Sequence, residues 1–105
     1  MKGKTTNPIL SKQEILARLG DNSALLQKYR VRRIGLFGSY ARQEQKKWSD
    51  IDFLVEFETA TFDNFMNLAF AMERLFHKKI DLVMPESLSP HLKPLIEQEV
   101  SWLEV

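Results

Sequence analysis

Apolar positions along the chain switch between a helical and a strand-like spacing, and the switches mark out its elements. Ile15, Leu16 and Leu19, then Leu25, Leu26 and Tyr29, recur at helical intervals. Ser11 with Glu14 three residues on has the pattern of a capping box, and Gly20-Asp21-Asn22 predicts a break between two helical pieces. Residues 31–37 are β-branched and apolar up to Gly38 and predict a strand. Residues 39–46 are expected to form a short helix entered directly from that strand. After the Trp48-Ser49-Asp50 turn, 51–57 predicts a second strand, and 59–61 a turn. The strongest helix is expected over 62–77, where Phe65, Leu68, Met72, Leu75 and Phe76 define one buried face. Residues 80–84, stopped by Pro85, predict a third strand. Residues 88–103 predict a last helix that starts at Pro90 or Pro94, with the acidic run 97–99 facing outward.

This order, α-β-α-β-α-β-α, predicts a small α/β (α+β) fold with a mixed sheet of three or slightly more strands packed by helices. A chain of 105 residues suffices for one domain, 1–105, of which 1–8 is expected to be a loose leader. With 44% apolar and 28% charged residues the chain can build a core, which argues against disorder. A net charge of +1 and the lack of aromatic platforms weaken any nucleic-acid role. The absence of cysteine excludes thiolate metal sites. No apolar run approaches the roughly 20 residues that cross a bilayer, and none follows the early lysines as in a signal peptide. A cytoplasmic location without a membrane partner is the expectation.

Three aspartates stand where structure alone does not require them. Asp50 and Asp52 are two apart at the start of a strand, so they project from one face roughly 6.5–7 Å apart. Asp81 lies between Ile80 and Leu82 at the start of another strand, where an uncompensated charge is unfavourable. Carboxylates gathered in this way suit magnesium, which takes hard oxygen ligands together with substrate phosphate. Gly38-Ser39 marks a strand-to-helix junction whose backbone N–H groups and hydroxyl suit the phosphates of a nucleoside triphosphate. Arg42, one turn later, is placed to pair with a phosphate or to brace an aspartate. One site forms only if the first strand runs antiparallel to the second and the third runs parallel to the second. With two metal ions bound, the chemistry is in-line attack of an acceptor hydroxyl on the α-phosphate, with pyrophosphate leaving. Asp81 is the candidate to hold the second ion and help deprotonate the acceptor.

At Gly38-Ser39-Tyr40-Ala41-Arg42, Ser49-Asp50-Ile51-Asp52-Phe53-Leu54-Val55 and Ile80-Asp81-Leu82-Val83, the chain resembles the minimal nucleotidyltransferase family of the DNA polymerase beta-like superfamily. The likeness runs from about Leu25 to the C-terminus, including 88–94. The resemblance implies a palm-like core, ATP with two Mg2+ ions, and metal roles for Asp50, Asp52 and Asp81. It also implies a helical HEPN-type toxin as partner, with this chain as the antitoxin that adenylylates a hydroxyl of the toxin. Gln43 departs from the pattern, since many members have glycine there; the expectation is that it prolongs the short helix by a turn.

Taken singly, Asp50 is as well read as a turn cap and Asp52 as a surface strand residue; it is the conjunction with Asp81 and Gly38-Ser39 that favours a metal site. Arg42 is equally compatible with a solvated helix arginine, and Arg30, Arg32 and Arg33 with a solvated cluster. Two other functions compete with catalysis on a protein. One is a binding module that neutralises its partner by occlusion. The other is an aminoglycoside-type small-molecule transferase, which needs an acceptor pocket hard to place in a chain this short without homo- or hetero-oligomerisation.

Overall fold

The computed structural model describes residues 9–105, so the expected leader over 1–8 lies outside the described residues. Helix α1 (Lys12–Asp21) opens on the expected capping box: the Glu14 N–H donates to Ser11 Oγ, and the Ser11 N–H donates to Glu14 Oε1 at 2.8 Å. It ends at Asn22, where α2 (Ser23–Lys28) begins, so the predicted break is present. Strands β1 (Val31–Phe37) and β2 (Ile51–Phe57) follow. Helix α3 (Phe62–Phe76) is capped by the Thr61 side chain and closed by His77 in the left-handed conformation. Strand β3 (Ile80–Val83) leads into a 3-10 turn at Pro85–Ser87.

The sheet is mixed. β1 is antiparallel to β2 and β2 is parallel to β3, the directions that a single aspartate site requires. α3 serves as the crossover between the two parallel strands. Alternation along the strands then separates two faces. Ile34, Leu36, Ile51, Phe53, Val55, Ile80 and Leu82 enter one core cluster with Ile15, Leu19 and Leu26 of α1 and α2, and with Leu68, Met72 and Phe76 of α3. Phe37, Leu54, Asp52 and Asp81 belong to the alternate set, on the face away from those helices. Phe65 and Leu75 pack against the core as expected, while Phe62 and Phe70 leave α3 exposed.

The C-terminal third differs from its expectation. Helix α4 spans only Lys93–Glu99, and Ser101–Glu104 is a fourth strand, β4, antiparallel to the free edge of β1. The sheet order is therefore β3-β2-β1-β4. Gly35 explains how β4 docks. It stands opposite Trp102, and a Cβ at position 35 would collide with the side chains of Val100 and Trp102. The Trp102 ring lies across the strand, and the Arg33 guanidinium stacks on it, 3.8 Å from the ring centroid. Arg33 also donates two bonds of 2.9 Å to the Glu56 carboxylate, so it joins β2, β1 and β4 rather than being a solvated cation.

The expected helix over 39–46 is absent as well. After Gly38 the chain makes one helical turn, in which the Arg42 N–H donates to the Gly38 carbonyl. The Gln43 N–H then donates to the Tyr40 carbonyl and the Glu44 N–H to the Ser39 carbonyl at 2.8 Å. With Gln43 at φ 60°, this is a Schellman closure. Gln43 therefore ends the turn instead of prolonging it, and it occupies a conformation in which glycine carries no Cβ penalty. Gln43→Gly is expected to stabilise the fold by about 0.5–1 kcal/mol, the left-handed strain relieved less the added freedom of the unfolded chain. An unchanged or lower urea midpoint would show that the turn carries no such strain.

Candidate active site

Strand register brings the three aspartates together. Asp52 is the second residue of β2 and pairs with Asp81, the second residue of β3, in the parallel ladder. Asp50 immediately precedes β2, two residues from Asp52 and so on the same face. Adjacent strands lie about 4.8 Å apart, which sets the spacing between the Asp52 and Asp81 positions. On the other side of β2, Phe37 pairs with Asp52, so Gly38 emerges beside the same carboxylate. Here the glycine is a structural necessity. Its φ is +77°, and a Cβ would collide with the Asp52 carboxylate.

Burial and charge act on Asp52 in the same direction. Asp52 is partly buried, whereas Asp50 and Asp81 are exposed. Desolvation raises the Asp52 pKa most, and the negative charges of Asp81 and Asp50 raise it further, while Arg42 opposes them; the result is about 6. A carboxylate held this far above its ordinary range, in a group of three, lacks sufficient countercharge. The donor set consists of hard oxygens. Among the described residues, no three His, Cys, Asp or Glu side chains form a ready-made cage for an ion. Magnesium does not require one, because it is commonly held by one or two carboxylates with substrate phosphates and water completing its shell. The donors therefore fit magnesium carried in with a nucleotide.

Arg42 is more constrained than a solvated helix residue. Its Nε donates to Glu44 Oε1 at 3.1 Å, and its Nη1 donates to Glu99 Oε1 at 3.1 Å. Glu99 also accepts the Gly38 N–H at 2.7 Å through Oε2. The acidic run over 97–99 was expected to face outward, yet its last member turns onto the Gly38 turn. Sequence reasoning missed Glu99 because the signal depends on β4, which sets the register that delivers it. Ser39, partly buried, begins the turn beside these groups.

The described cavity, about 260 Å³, is lined by Arg32, Val55, Glu56, Phe57, Met84 and Glu86 at the opposite ends of the strands. None of Asp50, Asp52 and Asp81 lines it. Among the described residues, no helix is long and apolar enough to cross a membrane.

The family profile described as polymerase beta, nucleotidyltransferase matches residues 22–101 and so includes all three aspartates, the Gly38 turn and Glu99. A Methanocaldococcus jannaschii protein assigned as a protein adenylyltransferase is 39% identical over 83 residues, 75% of this chain and 83% of the relative. The protein adenylyltransferase MntA of Thermococcus cleftensis is 39% identical over 80 residues, 75% of this chain and 81% of the relative. A solved minimal nucleotidyltransferase is similar with a TM-score of 0.76 at 29% identity, covering 90% of this chain and 98% of its own. A toxin–antitoxin crystal structure with AMP-PNP is similar with a TM-score of 0.62 at 28% identity, covering 89% of this chain and 72% of its own.

Proposed function

Because the chain belongs to the polymerase beta nucleotidyltransferase family, and is a nucleotidyltransferase by that membership, we propose that it transfers an adenylyl group from ATP to a hydroxyl of a partner protein. In this reading it is the antitoxin of a pair whose toxin is a helical HEPN-type protein. The observation that carries the proposal is the register of Asp52 opposite Asp81, with Asp50 on the same face and the Gly38 turn beside them. The likeness to relatives assigned as protein adenylyltransferases supports protein as the acceptor class. The likeness to a toxin–antitoxin complex with AMP-PNP supports the adenine nucleotide and the paired partner.

Asp50, Asp52 and Asp81 would hold two Mg2+ ions, which supply charge stabilisation for the attacking and leaving oxygens. The chain's own part is positional. The Gly38-Ser39 turn and Arg42 orient the triphosphate so that its α-phosphorus faces the acceptor hydroxyl. A bond forms between the acceptor oxygen and the α-phosphorus, the bond from the α-phosphorus to the bridging oxygen breaks, and pyrophosphate leaves. Asp81, exposed at the edge of the group, takes the acceptor proton.

The test is incubation with α-labelled ATP, Mg2+ and the protein encoded beside it, the label being followed into either polypeptide. Transfer that EDTA abolishes is the expected outcome, and no label on the partner would overturn the reading. Exposed Phe62, Phe70, Leu92 and Leu95 favour one addition, that the partner also covers apolar surface. Neutralisation by simple occlusion, unlike catalysis, would survive the Asp50→Ala/Asp52→Ala double substitution.

A further inference from the structure

We propose that Glu99 is the positioning residue of the nucleotide turn, a side chain that fixes Gly38 and Arg42 in the geometry that receives triphosphate. This rests on the nucleotidyltransferase reading and deepens it. β1 and β4 pair with Leu36 opposite Ser101, and the same register carried outward sets Gly38 opposite Glu99. The backbone ladder does not reach that far, because α4 ends at Glu99 and the Val100 N–H donates back to the Ile96 carbonyl. The Glu99 side chain takes over where the ladder stops. One oxygen accepts the Gly38 N–H at 2.7 Å, and both oxygens accept from Arg42 Nη1, at 3.1 and 3.2 Å.

The placement of Glu99 is specific. Its side chain is 22% exposed, although α4 contains no buried residue. Short charge-assisted bonds to a backbone amide and a guanidinium are stronger than neutral ones and fix direction as well as distance. Both groups it holds border the carboxylates. Gly38 is the residue against which the Asp52 carboxylate lies, and Arg42 is the cation that opposes the charge on Asp52. With Glu99 removed, the Gly38 N–H and Arg42 would be free to reorient. The triphosphate would then have to order them at the cost of its own binding free energy.

A role confined to folding makes a different prediction, and MgATP affinity separates the two. Binding is measured by titration of the full chain with MgATP, beside kcat and KM for transfer to the partner. Glu99→Ala is expected to weaken MgATP binding about tenfold and to raise KM with little change in kcat, with the fold intact by circular dichroism. Glu99→Gln keeps an acceptor for the Gly38 N–H but not the charge for Arg42, and is expected to fall between Glu99→Ala and wild type. Glu97→Gln, which removes one charge from the exposed side of α4, is expected to bind as wild type. Unchanged or tighter binding by Glu99→Ala would overturn the proposal, the latter making Glu99 a competitor for Arg42. Where Glu99→Ala does not fold, unchanged affinity in Glu99→Gln overturns it instead. A wild-type chain that binds no MgATP defeats the nucleotidyltransferase reading as well, whereas wild-type binding with unaltered variants defeats this inference alone.

Discussion

Asp52→Asn is expected to raise the stability of the protein at pH 8 while reducing nucleotidyl transfer by at least about 10³-fold, the loss that follows when several kcal/mol of charge stabilisation is removed. The two effects share a cause. Burial first, and then the neighbouring Asp81 and Asp50, push the Asp52 carboxyl up to about 6, against an unfolded value near 3.9. Between roughly pH 4 and pH 6 the folded chain therefore binds more protons than the unfolded chain, so stability falls as pH rises through that window. Well above pH 6 the full penalty is present, about 3 kcal/mol from the two values and nearer 2 once solvent screening of the partly exposed carboxylate is allowed for, and an asparagine does not carry it. The melting temperature of Asp52→Asn at pH 8 is expected to lie several degrees above wild type, and the difference to shrink as pH falls toward 4. Mg2+ with ATP is expected to raise the wild-type melting temperature and to leave that of the variant nearly unchanged. A variant less stable than wild type at pH 8 would mean that the carboxylate is satisfied in the free protein, and the metal reading would lose its electrostatic basis.

That Asp52 could be chosen from sequence, whereas Glu99 could not, shows which parts of the site are local. β1, β2 and β3 were legible because each has a sharp end: Gly38 closes the first, Asp50 opens the second, and Pro85 stops the third. The directions of the strands followed from requiring one site, and the ladder agrees. β4 was not legible because Leu88, Leu92, Leu95, Ile96 and Leu103 continue a helical spacing through it. The contrary signal was Val100 and Trp102 in alternation, together with Gly35 in the middle of β1, a glycine that marks close approach by a neighbour. Once β4 is missed, the register that brings Glu99 to Gly38 is missed too. The Schellman closure at Gln43 escaped for a related reason. A glutamine carries no turn signal by itself, and only the backbone reveals that it adopts a left-handed conformation, the kind that favours glycine.

Gly38→Ala is expected to cost transfer at least about 100-fold and stability about 2 kcal/mol or more, through two separable causes. The first is backbone strain, since φ is +77° and an alanine there pays for the left-handed conformation. The second is a collision of the new Cβ with the Asp52 carboxylate, whose retreat from β1 leads toward β3 and the like charge of Asp81. Gly20 is the contrast, because a Cβ added there meets nothing within 4 Å and the residue lies inside α1. Gly20→Ala is therefore expected to stabilise the fold by roughly 0.5–1 kcal/mol and to leave transfer intact. A double-mutant cycle divides the two costs. In an Asp52→Ala background the carboxylate is gone, so Gly38→Ala should cost about 1 kcal/mol less than in wild type, leaving only the strain. Additive effects in urea unfolding would place the whole cost in the backbone. They would remove the steric link that makes the Gly38 turn and the central carboxylate a single unit.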